Sequence, residues 1–404
     1  MSTYKWQFAS RFRRNAFGWK SDLPIRRIKE ALTEIRKVAR NDPILGAEGA
    51  ITLLEKLSAA LMHVDSSSGA LGSMVNSAID SLVPILSTPT VSKDIRTRWL
   101  NRLWDAIQED EMPYIEYLAE FWGELCVMPE LASDWSDQLL PLVEQSWGSR
   151  NASHVFFKGS SACLSALLAA GRYEELLTLL EQGRTGMWHY RRWGVKALLA
   201  LGRKSEALRY AESSRGLNQP DWLISQACEE ILLSSGMHAE AYSRYAIEAN
   251  QGTTNLATFR AIAKKYPAMP AAELLRDLVA SQPGNEGKWF AAAKEAGLFT
   301  EAIELATRRP TDPRTLTRAA RDFAVDRPDF AIAAGMAALR WIGAGHGYEI
   351  TGADVTDAYD ALMRASHSAG IGEQKVKSQI RELIDGQPAH RDFLQKVLLH
   401  RLAS

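Results

Sequence analysis

Apolar residues recur at steps of three and four positions along most of this chain, and the strict alternation of a half-buried β-strand is nearly absent. Behind Pro24, a residue tolerated in a first helical turn, five apolar residues keep the helical spacing: Ile25, Ile28, Leu32, Ile35 and Val38. The opposite face of this predicted helix is basic and carries Arg26, Lys29, Arg36, Lys37 and Arg40. The pattern predicts an all-α fold whose first long element is an amphipathic helix.

The same spacing predicts further helices in the first 150 residues, over 51–64, 71–86, 94–108, 112–126 and 133–147. Turn-forming residues cluster at Gly148-Ser149-Arg150-Asn151, and the pattern changes after them. We therefore predict an N-terminal helical domain over 1–150. It contains a basic arm (1–41) and an acidic segment (101–150).

From about residue 155 a motif repeats, in which a glycine follows the small residues that end one helix and Glu stands four positions later. The glycines are Gly171, Gly202, Gly236 and Gly297, at intervals of 31, 34 and 61 residues; in the skipped unit Tyr266-Pro267 replaces the glycine. Glycine accepts the left-handed conformation that ends a helix, and helical hairpins bury their apolar faces by stacking on their neighbours. The motif predicts an α-solenoid over 151–345, followed by a C-terminal helical cap over 346–404.

The segments AAGRYEELL, ALGRKSEAL, SSGMHAEAY and EAGLFTEAI carry a resemblance to a known family. They resemble the turn of tetratricopeptide-type repeats over about residues 155–310, although the aromatic pattern of that family's first helix is not regular here. The resemblance implies architecture only. A second, weaker one rests on LATFRAIAKKYP, GNEGKWFAAAKEAG and DPRTLTRAARDF, which look like an uncharacterised family of bacterial helical-repeat proteins. Some relatives of that family carry SWIM-type Cys/His zinc motifs, which this chain lacks, so the resemblance implies a bacterial origin and no activity.

Composition is that of an ordinary globular protein, with 46% apolar and 24% charged residues. No secretory leader and no run of 18 apolar residues stands in the sequence, so secretion and a membrane role are not expected. The three cysteines, Cys126, Cys163 and Cys228, are scattered and form no CxxC pair, which favours a reducing cytoplasm and no structural metal. We expect no cofactor.

Charge is unevenly distributed although the net charge is zero. The basic arm has eleven Lys and Arg against three acids, a net charge of +8, and the acidic segment has eleven acids against two Arg, a net charge of −9. The candidate nucleic-acid-binding residues are Arg11, Arg13, Arg14, Trp19, Lys20, Arg26 and Arg27, because basic side chains neutralise phosphates and aromatic rings stack on bases. The alternative is that the aromatic residues Phe8, Phe12 and Phe17 pack on the chain's own helices while the charges stay in water or meet the acidic segment.

That charge complement also suggests a hypothesis about assembly. The basic arm pairs with the acidic segment, either within one chain or across a homodimer, and an anionic polymer competes for it.

Candidate partner-binding residues come from two places in the predicted repeats. Trp188, Arg191 and Arg192 share one face of a predicted helix, and Lys288 and Trp289 lie in GNEGKWF. GNEGKWF does not meet the GxxxxGK[ST] pattern of a phosphate loop, so a helix start after Pro283-Gly284 is favoured there. For the tryptophans, packing in the core is the alternative.

No catalytic motif stands in the sequence: GxSxG and HExxH are both missing. Glu109-Asp110-Glu111 is interpreted as a solvated loop and His346 as part of a turn that precedes a helix capped near Thr351 or Asp354. Catalytic groups assembled in space would escape such a search. We favour a non-enzymatic interaction scaffold that binds a protein partner, with a nucleic-acid-binding accessory protein of a bacterial DNA-processing or defence system as the alternative.

Overall fold

In the computed structural model, the chain is described over residues 4–148, 157–183, 186–217, 219–386 and 391–403. Over these residues every regular element is a helix and no strand is present, so the fold class is all-α, as predicted. The chain divides into two compact units, Met1–Pro220 and Asp221–Ser404. The division into three domains stays a prediction, and most of its first boundary, 149–151, lies outside the described residues.

The first unit contains ten α-helices in its described part and two 3₁₀ helices, Ala9–Arg11 and Glu116–Phe121. The α-helices are α1 (Asp22–Ala39), α2 (Pro43–Leu61), α3 (Ala70–Ser87), α4 (Lys93–Gln108), α5 (Trp122–Cys126), α6 (Pro129–Gly148), α7 (Ser160–Ala169), α8 (Tyr173–Gln182), α9 (Trp188–Ala200) and α10 (Lys204–Glu212).

The second unit contains eleven α-helices in its described part and one 3₁₀ helix, Glu286–Trp289. The α-helices are α11 (Asp221–Leu233), α12 (His238–Ala249), α13 (Asn255–Lys265), α14 (Ala271–Ser281), α15 (Phe290–Glu295), α16 (Phe299–Arg308), α17 (Pro313–Asp322), α18 (Pro328–Gly343), α19 (Gly352–Ser368), α20 (Glu373–Asp385) and α21 (Arg391–Ala403). The predicted cap of α19 is confirmed, because Thr351 and Asp354 form a capping box.

The glycines of the repeated motif end their helices in the way predicted. Gly171, Gly202, Gly236 and Gly297 have φ between +74° and +76°. At Gly202 the amide donates to the Leu199 carbonyl and the next amide, of Arg203, donates to the Leu198 carbonyl, the paired bonds of a Schellman turn. The same turn occurs at Gly345 and Gly370, which the motif did not include.

The unit without a glycine turn is held by a buried carboxylate instead. Glu229 of α11 is fully buried and accepts hydrogen bonds from the Tyr266 hydroxyl at 2.6 Å and from Asn250 Nδ2 at 2.8 Å, and Lys265 Nζ lies 2.6 Å away. Because these groups satisfy the carboxylate, its burial does not leave an unpaired charge. The network joins α11 to Asn250, at the end of α12, and to Lys265 and Tyr266, at the end of α13.

The prediction of one helix over 112–126 is wrong. The 3₁₀ helix Glu116–Phe121 and the short α5 stand there instead. Two contacts account for the break: Asp110 Oδ2 accepts from the Ile115 amide at 2.8 Å, and Ser165 Oγ bonds both the Glu120 carbonyl and the Gly123 amide at 3.0 Å. Asp110, expected on a solvated loop, is 1% exposed, and burial raises the pKa of its carboxyl.

One continuous hydrophobic cluster of the first unit runs from Phe8 to Ala197 and so extends past residue 150. Trp104, Trp122 and Trp135 meet within it, with ring centroids 4.9–5.5 Å apart. Of the described helices, α3 alone is long and apolar enough to cross a membrane by length and hydropathy. Its apolar side chains, such as Ile79 and Leu82, are buried within the first unit.

Candidate functional site

Residues 4–20, the part of the basic arm that precedes α1, fold onto α1 and α2 and are called the arm below. Phe8, Phe12 and Phe17 are buried, and their rings pack in series with centroids 6.3 and 5.5 Å apart. Trp6 lies so close to α2 that a Cβ at Gly49 would stand 2.2 Å from its ring. These aromatic rings are therefore part of the core, and Trp19, which is 72% exposed, is the aromatic side chain of the basic arm that is most open to solvent.

Backbone hydrogen bonds hold the arm in place. The Asn15 amide donates to the Ala59 carbonyl at 3.0 Å, and the Asp65 amide donates to the Trp19 carbonyl at 2.8 Å. At the start of the arm, the amides of Gln7 and Phe8 donate to the two carboxylate oxygens of Glu34, at 2.9 and 3.1 Å.

Glu30, the other acid in the middle of α1, is paired with one arginine of the arm and one of α1 itself. Arg11 Nη1 lies 2.7 Å and Arg27 Nη1 2.6 Å from the same oxygen of Glu30. Hydrogen bonding from Arg27 lowers the pKa of Glu30, and the charges of Arg27, Arg11 and Arg26 act in the same direction. Both Glu30 and Glu34 are thus engaged by contacts within the chain, and Asp22, at the first position of the helix, is the remaining acid of α1.

We define the basic face as the five exposed cations on the solvent side of α1: Arg26, Lys29, Arg36, Lys37 and Arg40. At 100° per residue they fall within one arc of about 100°, on the other side of the helix from the buried residues Ile28 and Ile35, and Asp22 falls in the same arc. Among the described ion pairs none involves a member of the basic face; Arg36 donates to Ser81 Oγ at 2.8 Å. From Arg26 to Arg40 the row is about 21 Å long.

A groove of about 330 Å³ opens beside the C-terminal end of the basic face. Arg36 and Arg40 line it together with Ala39, Pro43, Pro84, Ile85 and Thr88. An apolar floor beside two cations suits an anionic ligand that has an apolar part.

The remaining basic candidates of the arm lie on the surface. Arg13 and Lys20 are exposed and take part in none of the described ion pairs, and Arg14 lies 4.0 Å from Glu111. That contact, between two exposed side chains, is the single described ion pair between the basic arm and the acidic segment. Three of the segment's other acids pair elsewhere: Asp134 with Lys93, Asp137 with Arg172 and Glu120 with Arg192.

Most of the candidate partner-binding residues are buried or bonded within their own unit. Trp188 and Trp289 are 4% and 1% exposed, so their rings are in the core, which was the alternative. Arg191 stacks on the Tyr210 ring at 3.9 Å and donates to Ser213 and Ser214 near the end of α10. Lys288 is exposed, and Arg192 pairs with Glu120 at 2.6 Å.

Sequence reasoning missed a polar cluster around Glu120. His189 Nε2 lies 3.1 Å from Ser161 Oγ, and His189 Nδ1 lies 3.5 Å from Glu120 Oε1. Three elements supply these side chains, α7, α9 and the 3₁₀ helix Glu116–Phe121. No signal could have found it, because the residues are 28 and 69 positions apart and match no motif.

A cavity of about 360 Å³ adjoins this cluster. Glu120 and Arg192 stand in its wall with Tyr117, Phe121, Trp193 and Lys196, among others. Burial lowers the pKa of Lys196, and the charge of Arg192 lowers it further. Burial raises the pKa of Tyr117 to about 12, helped by the charges of Asp80 and Glu120.

The second unit has its own cavity, of about 960 Å³, between α17 and α19. Four arginines line it, Arg314, Arg318, Arg321 and Arg364, together with four aspartates, Asp312, Asp354, Asp357 and Asp360. Arg314 holds Asp354 through two bonds of 2.6 and 3.1 Å, and Asp312 caps α17 through the Thr315 amide. The opposing charges balance, so this cavity shows no preference for one sign of ligand.

A scan against protein-family models and a search of the curated proteins both return no match. Within the described residues, no group of three or more His, Cys, Asp and Glu side chains is placed to hold a metal ion.

Proposed function

We propose that this protein binds single-stranded nucleic acid through the basic face of α1 and the exposed Trp19. The observation that carries the proposal is the state of the charges on α1. Two of its three acids, Glu30 and Glu34, are engaged by contacts within the chain, and the third, Asp22, lies at the first position of the helix. The five cations of the basic face are exposed and without a carboxylate partner among the described ion pairs. Cations that release counterions from phosphates supply most of non-specific nucleic-acid affinity.

The dimensions of the basic face fit a nucleic-acid backbone. In a helically stacked strand the phosphates follow one another by about 3.4 Å along the axis, so the 21 Å row spans up to about six of them, and fewer where the strand is extended. Trp19 and Lys20, both exposed, stand just before α1 in the chain. An exposed indole stacks on an unpaired base and not on a base inside a duplex, which favours a single strand.

The groove beside Arg36 and Arg40 adds to this preference. Its apolar lining has the size for an unstacked base whose phosphate meets one of the two guanidinium groups. Duplex DNA has no such base to offer.

The scaffold hypothesis stays a prediction and has less support. Of its five candidate residues, Trp188 and Trp289 are buried, Arg191 is bonded within its own hairpin, and Arg192 is paired. A solenoid whose surface holds a protein, a cytoplasmic location and a homodimer through the arm and the acidic segment are likewise predictions.

The proposal is tested by fluorescence anisotropy with a labelled 20-nucleotide single-stranded DNA and its RNA counterpart. Reversing two charges of the basic face, Lys29→Glu with Lys37→Glu, is expected to weaken binding by about 10-fold or more at moderate salt. Neither residue makes an ion pair among those described, so the fold should tolerate the change.

The matched control reverses two exposed cations of the second unit, Lys264→Glu with Arg276→Glu, which gives the same change in net charge. Retained binding by the control, with loss in the α1 variant, supports the proposal. Equal loss in both variants, or no binding by the wild-type protein, overturns it, and binding to anionic lipid vesicles in place of nucleic acid would assign the face to a membrane surface.

A further inference from the structure

Three side chains that the proposed nucleic-acid binding does not use lie in a row in the first unit. Ser161 Oγ is 3.1 Å from His189 Nε2, and His189 Nδ1 is 3.5 Å from Glu120 Oε1. A hydroxyl, an imidazole and a carboxylate in this order are the parts of a serine nucleophile, its general base and the group that orients the base.

We propose that Ser161, His189 and Glu120 form an acyl-transfer site that hydrolyses esters of small carboxylic acids. Ser161 is the nucleophile, His189 the general base, and Glu120 the positioning residue. The proposal rests on the convergence of α7, α9 and a 3₁₀ helix on one set of contacts and is independent of the basic face.

Separate contacts fix the backbone and the carboxylate of Glu120 beside His189. Ser165 Oγ of α7 donates to the backbone carbonyl of Glu120 at 3.0 Å, and Arg192 Nη2 lies 2.6 Å from the carboxylate oxygen Oε2, while the other oxygen, Oε1, lies 3.5 Å from His189 Nδ1. Arg192 also donates from Nε to the His189 carbonyl at 3.0 Å. With a proton on Nδ1 facing Glu120, Nε2 of His189 accepts the Ser161 hydroxyl.

The position of Ser161 at the start of a helix suits a nucleophile. It is the second residue of α7, whose N-cap, Gly159, has no side chain to bond the first amides. The positive end of the helix dipole therefore lies at the Ser161 end of α7, where it would stabilise negative charge on a substrate carbonyl. Ser161 is partly exposed, and the His189 side chain is 45% exposed, so a small ester reaches both.

The state of His189 also fits a base. Burial lowers the pKa of His189, the charge of Glu120 raises it, and the charge of Arg192 lowers it. The net direction is downward, which keeps the imidazole neutral near pH 7 and able to take a proton.

Water is the only reagent besides the ester that the reaction needs. Ser161 Oγ forms a bond to the ester carbonyl carbon as its proton passes to His189 Nε2. The carbon–oxygen bond to the alcohol then breaks, and the alcohol leaves with the proton from His189. Water adds to the acyl-Ser161 carbonyl, gives a proton to His189, and the acid leaves as that proton returns to Ser161 Oγ.

The experiment uses the full-length protein with a fluorophosphonate probe, which reacts with activated serines, and p-nitrophenyl acetate as the ester. Labelling is expected in the wild type, none in Ser161→Ala, and a rate lower by about 100-fold or more in His189→Ala. Ser205→Ala is the matched control, because Ser205 is also the second residue of its helix, α10, and is exposed.

The positioning role of Glu120 has a separate readout. In Glu120→Gln the charge that raises the pKa of His189 is gone while Arg192 remains, so the pH at which labelling reaches half its maximum should move down. Circular dichroism of each variant establishes that it is folded. Labelling that is absent in the folded wild type, or that survives Ser161→Ala, overturns the proposal.

Discussion

The Arg11 guanidinium lies 2.7 Å from the carboxylate of Glu30, nineteen residues further along the chain. This contact, with the amides of Gln7 and Phe8 on Glu34, converts the two acids in the middle of α1 into internal partners of the arm. The other exposed charges on the solvent side of α1 are the cations of the basic face and one acid, Asp22, at the first position of the helix. Folding of the arm therefore shapes the surface to which we assign nucleic-acid binding.

Replacing Trp19 should separate single-stranded from double-stranded binding. Stacking on one base is worth about 1–3 kcal/mol, so Trp19→Ala should weaken binding to single-stranded DNA by roughly 10-fold and change duplex binding by about twofold or less. Anisotropy titrations with both DNAs give the result. Trp222→Ala is the control, since Trp222 is a 52% exposed tryptophan of the second unit; equal losses for both tryptophans would contradict a stacking role.

The network around Glu229 should carry more stability than a similar bond at the surface. Tyr266→Phe removes a hydroxyl from a fully buried carboxylate and is expected to cost about 1–3 kcal/mol of unfolding free energy. Tyr242→Phe breaks the same kind of bond, to the exposed Asp277 at 2.7 Å, and should cost about 1 kcal/mol or less. Urea unfolding measures both. Equal losses of unfolding free energy in the two variants would contradict a stabilising role for the buried network around Glu229.

The glycine turns should resist substitution even where space is available. Gly202 has φ of +76° and no atom near the place of a Cβ, so Gly202→Ala meets backbone strain alone and should destabilise by about 1–2 kcal/mol. Gly216→Ala also meets no atom, but Gly216 has no positive φ in that range, and its change should stay within about 0.5 kcal/mol. Thermal unfolding of the two variants compares them directly; a neutral Gly202→Ala would contradict the left-handed turn.

The thiols of the first unit should be protected in the native state. Burial raises the pKa of Cys126 and of Cys163 to about 12, so neither forms thiolate at pH 8 while the protein is folded. Both pKa values are raised, so these thiols contribute stability that is fully present below their unfolded pKa, near 9, and is lost as pH rises toward 12. Reaction with a thiol-specific disulfide reagent at pH 8 should be slow until urea is added, and fast labelling of either native thiol would contradict the burial.

The all-α class and the glycine turns were predictable, because periodicity and the left-handed preference of glycine act locally. The same reasoning located the cations of the basic face on the side of α1 opposite Ile28 and Ile35. The break over 112–126 was not predictable, since it depends on Ser165 and Asp110, whose partners are set by tertiary contacts.

The arm and the polar cluster show a second limit of sequence reasoning. Phe12 and Trp19 stand in similar basic surroundings in the sequence, yet the first is 1% and the second 72% exposed. No periodicity in the arm distinguishes them, because its path is fixed by bonds to Ala59 and Asp65. Ser161, His189 and Glu120 meet only once α7, α9 and the 3₁₀ helix have packed.

The salt dependence of binding tests the central claim most directly. If the five cations of the basic face meet phosphates, the logarithm of the association constant for single-stranded DNA should fall with the logarithm of salt concentration at a slope of about −3.5. In the variant with Lys29→Glu and Lys37→Glu the slope should become shallower by at least about 1.4, and in the variant with Lys264→Glu and Arg276→Glu it should be unchanged. A wild-type slope near zero, or a slope that the α1 variant leaves unaltered, would contradict the assignment of nucleic-acid binding to this face.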